Sequence, residues 1–146
     1  MDEQAHETLR LEDQLCFPLY ACSREVIKHY RPYLDELHLT YTQYVAMLVC
    51  WELREVSVKE LGRRLYLDSG TLTPVLKSLE QKGYITRRRS TQDERVLIAA
   101  LTEQGAALKA RAASVPGRIG CCINLTAEEA GTLHRLLNKL LSQMDK

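Results

Sequence analysis

Apolar side chains recur at three- and four-residue steps along most of this chain, a spacing typical of amphipathic helices. Two short stretches, residues 84–89 and 96–101, have instead the composition of β-strands, and the polar run 90–95 between them is typical of a hairpin tip. The pattern therefore predicts a mainly α-helical fold with one small β-hairpin. The last predicted helix carries an apolar stripe formed by Leu133, Leu136, Leu137, Leu140, Leu141 and Met144.

Two prolines bound the first long helix. Pro18 has no backbone N–H to donate and fits in a first turn, so we expect the helix to begin at about residues 15–17, with Cys16 at its start. Pro32 disfavours helical geometry at Arg31, which predicts that the helix ends there.

Capping sequences mark where later helices begin. In three places a Ser or Thr is followed three positions later by Glu or Gln, the pattern of a capping box: Thr40 with Gln43, Ser57 with Glu60, and Thr126 with Glu129. The first of these opens a helix that runs to about Leu53. Thr102 is expected to cap a further helix that ends before Pro116.

Two consecutive helices are predicted in the middle of the chain, the first over 58–66 and the second ending at Gly83. Thr71 is favoured as the N-cap of the second helix because it best tolerates Pro74, and residues 68 and 69 are the alternatives.

A chain of 146 residues, 45% of them hydrophobic, is the size of one compact domain, so we expect a single domain over 1–146. Its longest apolar run, residues 44–51, is far shorter than the ~20 residues that cross a bilayer. The five cysteines are an odd number, and the polar first ten residues do not resemble a secretory signal. We therefore expect a soluble cytoplasmic protein with reduced thiols and no membrane association.

The net charge of +1 conceals an uneven distribution. Residues 1–53 carry four basic and nine acidic side chains, a net charge of −5. Residues 54–95 carry ten and six, a net charge of +4, and residues 96–146 carry six and four, a net charge of +2. The basic middle third coincides with the two consecutive helices and the hairpin.

This coincidence predicts a winged helix-turn-helix over about 54–101, whose second helix enters the major groove of DNA while the hairpin reaches the minor groove or backbone. An ordinary α+β core with a solvated basic hairpin is the alternative. Small hydroxyl side chains can reach base edges and a lysine can reach phosphate, so the expected major-groove residues are Ser69, Gly70, Thr71, Thr73 and Lys77. The expected wing residues are Arg87, Arg88, Arg89 and Arg95.

The segment Asp93-Glu94-Arg95, continued through Thr102, resembles the wing signature of MarR-type regulators. Three further segments, residues 11–17, 39–41 and 65–74, resemble the organic hydroperoxide resistance regulators of that family, and the likeness covers nearly the whole chain. The resemblance implies a homodimeric repressor that binds a double-stranded DNA operator. It also implies that Arg95 enters the minor groove and that Asp93 holds the wing, although a local surface ion pair between the two is the simpler interpretation.

In these regulators an organic hydroperoxide oxidises a cysteine near the start of the first long helix, and the dimer then releases DNA. By position that cysteine is Cys16, and the family's pocket tyrosines fall on Tyr20, Tyr30 and Tyr41. The chemistry agrees, because peroxide reacts with a thiolate, which a helix N-terminus and a nearby phenol donor stabilise. The alternative is that Cys16 is a small buried hydrophobe.

The other cysteines divide into two groups. Cys22 and Cys50 lie in apolar helical surroundings and are expected in the core. Cys121 and Cys122 lie in a predicted loop and resemble the resolving position of two-cysteine members, in which a thiol of the other subunit condenses with the oxidised sensor. The sequence leaves open which of the two attacks.

Neither a metal nor another cofactor is expected, because four scattered histidines lack the spacing of zinc ligands: His6, His29, His38 and His134. The terminal helices, over about 8–39 and 102–146, are expected to form the homodimer, since the last stripe exceeds what the central module needs for its own packing. Two recognition helices then read a pseudo-palindromic site with half-sites ~10 bp apart.

We expect no enzyme activity. Two alternatives remain. The first is a regulator of the same architecture that responds to a small-molecule ligand without thiol oxidation. The second is a thiol peroxidase with Cys16 as its nucleophile.

Overall fold

The computed structural model describes residues 9–144, which divide into two compact units, 9–115 and 116–144. His6, residue 8 of the expected dimerisation segment, and residues 145 and 146 lie outside the described residues. The first unit contains α1 (Cys16–Asp35), α2 (Tyr41–Leu53), β1 (Glu55–Ser57), α3 (Val58–Leu65), α4 (Ser69–Gln81), β2 (Ile85–Arg89), β3 (Leu97–Leu101) and α5 (Glu103–Ala112). The second contains most of α6 (Val115–Gly120) and all of α7 (Ala127–Met144).

The first long helix begins where the sequence predicts, at Cys16, with Pro18 in its first turn. Its predicted end at Arg31 is wrong, because α1 continues through Pro32 to Asp35. Proline removes one backbone hydrogen bond from a helix. The carbonyl that loses its donor belongs to Lys28, and both Lys28 and Pro32 are exposed, so water can replace the missing bond.

Two of the three predicted capping boxes are complete. At the start of α2, Thr40 Oγ1 accepts from the Gln43 amide at 3.2 Å and Gln43 Oε1 accepts from the Thr40 amide at 3.0 Å. Thr126 and Glu129 form the same pair of bonds before α7, at 3.1 and 3.0 Å. Ser57 caps α3, but the box is incomplete because the Glu60 carboxylate binds two arginines of its own helix.

The N-cap of α4 is Asp68, so the preferred prediction of Thr71 as the N-cap is wrong. The Thr71 amide donates to Asp68 Oδ1 at 2.7 Å. This earlier start leaves Pro74 inside the helix. Pro74 lies in the second turn, and the carbonyl that loses its donor belongs to Gly70, which is exposed, so water can replace the missing bond.

The sheet has three antiparallel strands in the order β1-β3-β2, so the predicted hairpin is confirmed but a third strand was missed. Glu55 pairs with Ala100 on one side of β3, while Ile85 pairs with Leu101 on the other. With three residues, β1 is too short to display the alternation that identifies a strand in sequence.

The core of the first unit lies between the helices and the sheet, and its fully buried side chains include Leu34, Met47, Leu61, Leu76 and Ile85. α5 packs closely on the chain before β2, because a Cβ on Gly105 would lie 2.1 Å from the carbonyl oxygen of Tyr84. The Trp51 indole donates to the Gly105 carbonyl at 2.8 Å. α3, α4 and the hairpin β2–β3 thus build the predicted winged helix-turn-helix. Within residues 9–144, no helix is sufficiently long and apolar to span a membrane.

Candidate DNA interface and thiol site

The orientation of α4 is set by three buried leucines, Leu72, Leu76 and Leu79. The opposite face is exposed, and it carries all five predicted major-groove residues: Ser69, Gly70, Thr71, Thr73 and Lys77. The Thr73 hydroxyl donates to the Ser69 carbonyl at 2.7 Å, which fixes its rotamer. The structure therefore brings the predicted groove-reading set together on one surface.

Asp68 holds the exposed end of this helix. Hydrogen bonding from Thr71 lowers the pKa of the Asp68 carboxyl, so the cap is ionised at neutral pH. Capping satisfies one of the amides that a helix N-terminus leaves without a partner. The first turn, which carries Ser69 to Thr71, is thereby ordered before any DNA is bound.

The tip of the wing is organised by Asp93. Its Oδ1 accepts from both the amide and the Nε of Arg95, each at 3.1 Å. These bonds lower the pKa of the Asp93 carboxyl. The Arg95 side chain remains 91% exposed, so Asp93 directs the guanidinium without covering it.

The three consecutive arginines of β2 have different surroundings. Arg87 is 23% exposed and donates to the Glu80 carboxylate of α4, both from its amide at 2.9 Å and from its guanidinium at 3.2 Å. Arg88 pairs with Glu55 of β1 at 2.9 Å, and Arg89 is exposed at the strand end. DNA contact by all three stays a prediction, and the Glu80 bonds favour a structural role for Arg87, joining the wing to α4.

Cys16 lies at the first residue of α1 and is exposed, so the alternative of a buried hydrophobe does not describe it within this chain. The neighbouring Leu15 and Phe17 are also exposed. Tyr20 lies one helical turn further on, and the Arg24 guanidinium lies 5.4 Å from the centroid of its ring. Thiol, phenol and apolar side chains therefore share one uncovered end of the helix.

Tyr30 and Tyr41 meet at the other end of α1. Their ring centroids are 5.0 Å apart in an edge-to-face arrangement. Tyr44, which the sequence interpretation missed, joins them at 5.9 Å from Tyr30 and 6.2 Å from Tyr41. Its place three residues after Tyr41 on the same helix face was the available signal.

Burial raises the pKa of all three of these tyrosines, so the phenols are protonated and able to donate hydrogen bonds at neutral pH. The same chain does not bring its own Cys16 to them. Cys16 and Tyr30 are fourteen residues apart on one helix, which separates them by about 21 Å along its axis. Within one chain, Cys16 therefore does not contact the tyrosine cluster.

Cys50 is buried in the core as predicted, and burial raises the pKa of its thiol to about 11. Cys22 is exposed, so its predicted core position is wrong within this chain. Residues 22–25 of α1 are all exposed, so this part of the helix is not packed against the rest of the unit.

Cys121 and Cys122 are exposed in the turn after α6, and the Cys122 thiol lies 3.8 Å from the Arg118 carbonyl oxygen. The expected accessibility of this pair is therefore confirmed. Among the residues that the structure describes, no group of three or more His, Cys, Asp or Glu side chains could hold a metal ion.

Comparisons with known proteins agree with this geometry. The family model of the SarA/Rot transcriptional regulators matches residues 28–112. The organic hydroperoxide resistance transcriptional regulator of Bacillus subtilis (strain 168) is 48% identical over 143 residues, which cover 98% of this chain and 95% of that protein.

Two solved structures of AbfR, a Staphylococcus epidermidis protein, are similar over nearly their full length. Reduced AbfR bound to DNA has a TM-score of 0.77 at 35% identity and covers 96% of this chain and 97% of its own. AbfR with a disulfide formed has a TM-score of 0.64 at 34% identity and covers 100% of each. This chain belongs to the SarA/Rot family of transcriptional regulators, which is MarR-like, as its wing sequence indicated.

Proposed function

We propose that this protein is a redox-sensing repressor that binds a pseudo-palindromic operator as a homodimer and releases it when organic hydroperoxide oxidises Cys16. The observation that carries the proposal is the presence, in one chain, of an exposed thiol at a helix start and a basic winged helix-turn-helix. The B. subtilis relative is a regulator of organic hydroperoxide resistance, and AbfR exists in DNA-bound and disulfide forms.

The proposed sensing pocket is shared by two subunits. Because about 21 Å separates Cys16 from Tyr30 along one helix, the Tyr30 and Tyr41 phenols of one subunit serve the Cys16 thiol of the other. Tyr20 supplies a further phenol from the same helix turn as Cys16. Exposed Leu15 and Phe17 line the entrance and favour an alkyl peroxide over hydrogen peroxide.

Oxidation of Cys16 proceeds in two steps. The Cys16 thiolate attacks one peroxide oxygen, an S–O bond forms as the O–O bond breaks, and the alkoxide takes a proton and leaves as an alcohol. The resulting sulfenic acid condenses with the thiol of Cys121 or Cys122 of the other subunit, which forms an S–S bond and releases water. The disulfide is reversible by thiol exchange and protects Cys16 from irreversible oxidation.

DNA binding uses the exposed face of α4 and the wing. Ser69, Gly70, Thr71 and Thr73 face base edges, Lys77 faces phosphate, and Arg95 enters the minor groove. Arg88 and Arg89 add positive charge along the backbone. A covalent bond between subunits changes the relative position of the two recognition helices, which must stay ~10 bp apart to occupy both half-sites.

The test is DNA release by peroxide, measured by fluorescence anisotropy on a duplex that the reduced protein enriches from a random-sequence pool. Cumene hydroperoxide should release the wild-type protein, whereas Cys16→Ser should bind equally well before and after treatment. Cys22→Ser is the matched control, because Cys22 is an exposed thiol on the same helix, and it should be released like wild type.

Release of Cys16→Ser by the peroxide would reject Cys16 as the sensor. Counting the cumyl alcohol formed separates the proposed switch from a peroxidase. Without added thiol, each wild-type subunit should yield one equivalent of alcohol; with dithiothreitol the yield rises, but the DNA is released at the first equivalent. Release only after many turnovers would favour the enzyme.

A cavity favours one second candidate, a regulator that responds to a small-molecule ligand. About 300 Å³ of space lies beside Tyr41, bordered by Ile27, Leu34 and the cationic Arg31. Arg31 can pair with the carboxylate of a small aromatic acid, although Asp35 in the same lining offsets part of its charge. If this candidate is right, benzoate at millimolar concentration releases Cys16→Ser from DNA without peroxide, and unchanged binding rejects it.

A further inference from the structure

The connection between α1 and α2 is tied to the end of the recognition helix α4 by a set of polar contacts that we call the Gln43 clamp. Its members are His38, Thr40 and Gln43 on one side and Ser78 and Lys82 on the other. Apart from tyrosine, tryptophan and cysteine, Gln43 is the one buried residue with a polar side chain among residues 9–144. It is 7% exposed.

Gln43 uses both ends of its amide. Its Oε1 accepts from the Thr40 backbone amide at 3.0 Å and from Lys82 Nζ at 3.0 Å. Its Nε2 donates to the Ser78 hydroxyl at 3.0 Å. One side chain therefore completes the first turn of α2 and holds the last turn of α4.

Lys82 extends the contact to the turn between α1 and α2. Its ammonium also donates to the His38 carbonyl. His38 has a φ of 55°, in the left-handed region that a residue with a side chain adopts at some cost. The C-cap of the recognition helix thus holds a strained turn in place.

Helix capping alone does not account for this arrangement. The capping box of Thr126 and Glu129 has the same geometry and is fully exposed, so such a box needs no burial. A buried amide that loses a partner costs more than an exposed one, because water cannot replace the lost bond. Because separation would leave a buried amide without partners, a displacement of the Gln43 side chain moves Ser78 and Lys82 with it.

The clamp lies directly beside the tyrosine cluster. Tyr41 stands between Thr40 and Gln43 in the first turn of α2, with its ring 5.0 Å from that of Tyr30. Any change in what Tyr41 contacts acts on the same turn that Gln43 ties to Ser78. Two hydrogen bonds therefore connect the turn that holds Tyr41 to the recognition helix: from the Thr40 amide to Gln43, and from Gln43 to Ser78.

We propose that the Gln43 clamp transmits the oxidation state of the sensing pocket to α4, with Gln43 as a positioning residue that acts through the helix and not on the sulfur. The inference rests on the proposed function. When Cys16 is oxidised and Tyr41 no longer contacts its sulfur, the start of α2 shifts, and the bonds of the Gln43 side chain carry Ser78 and Lys82 with it. α4 then leaves the orientation that reads DNA.

The test compares DNA affinity before and after cumene hydroperoxide, using the enriched duplex described above. Ser78→Ala removes one clamp contact without touching the capping box and keeps good helix propensity. Its reduced form should bind within about threefold of wild type, while the ratio of oxidised to reduced dissociation constants falls at least about tenfold. The rate of Cys16 sulfenic acid formation, followed by dimedone labelling, should not change.

Three further variants sharpen the result. Gln43→Met, which removes every bond of the Gln43 side chain, should lose the release ratio at least as fully, and the double variant with Ser78→Ala should lose no more than Gln43→Met alone. Gln43→Glu should keep the ratio, because a carboxylate still accepts from Thr40, Lys82 and the Ser78 hydroxyl. Gln81→Ala, at an exposed position of the same helix, is the control and should behave as wild type.

A wild-type release ratio in Ser78→Ala and Gln43→Met would overturn the inference and leave the proposed function intact. Loss of DNA binding by their reduced forms would also overturn it, because the clamp would then only stabilise the winged helix-turn-helix. If peroxide does not release the wild-type protein from DNA, both the proposed function and this inference are wrong.

Discussion

Arg95 shows how a single residue combines order with exposure. Three bonds to Asp93 hold it, yet 91% of its side chain is open to solvent. An exposed ion pair of this kind adds little to the stability of the fold. It directs a cation outward, as the proposed minor-groove contact requires.

Arg95→Ala should weaken DNA binding by about 1–3 kcal/mol and lower the slope of log affinity against log salt by about two, one cation for each subunit of a dimer. The measurement is anisotropy at several salt concentrations. Arg111→Ala, which changes an exposed arginine of α5 away from the wing, is the control. An unchanged slope in Arg95→Ala would favour the alternative interpretation, in which the wing is a solvated basic hairpin that does not contact DNA.

Residue by residue, the sequence identified the candidate site where chemistry is local. Cys16 stands at a helix start because Pro18 fits in a first turn, and Asp93 and Arg95 are two positions apart. Distant partners were not predictable. The contact between Arg87 and Glu80 and the exposure of Cys22 depend on how far neighbouring elements reach, which no local pattern encodes.

Elements follow the same rule. Helix starts with side-chain caps at Thr40, Thr102 and Thr126 were predictable because each cap bonds an amide three residues away. β1 was missed because its three residues gain their hydrogen bonds from β3, more than forty residues later. α1 passes Pro32 because its last turn is held by packing of Leu34.

The turn after α6 carries the next prediction, which concerns the exposed Cys121 and Cys122. Their double change to Ser should leave peroxide-treated protein monomeric on a non-reducing gel, because the Cys16 sulfenic acid then lacks the thiols with which it is proposed to condense. Wild type should run as a crosslinked dimer. Cys22→Ser is the control and should crosslink normally.

Single changes at Cys121 and Cys122 then decide which thiol forms the disulfide. Loss of the crosslink in one and not the other identifies the resolving residue. A crosslinked dimer that persists in the double variant would show that these cysteines do not resolve Cys16. Mass spectrometry of the joined peptides would name the thiol that does.

Taken over the whole molecule, apolar surface is left uncovered at both ends of the described chain. Leu15, Phe17 and Leu19 are exposed at the start of α1. Within α7, from Ala127 to Met144, no residue is buried, although the helix carries the apolar stripe predicted from the sequence. Contiguous apolar surface on a globular protein marks an interface. A second copy of the chain is the partner that the proposed shared sensing pocket requires.

Leu136 lies in the middle of that stripe and provides the test of the dimer. A buried leucine contributes ~1.5–3 kcal/mol, and a twofold dimer contains two copies, so Leu136→Glu should raise the dimer dissociation constant at least about a hundredfold. Sedimentation equilibrium measures this directly. Leu48→Glu is the matched control, because Leu48 on α2 is exposed to the same extent, 43%.

If α7 forms the interface, only Leu136→Glu dissociates, and it then binds the enriched duplex with the affinity of a single half-site. A Leu136→Glu protein that stays dimeric, or a Leu48→Glu protein that dissociates equally, would contradict the assignment of the interface to α7.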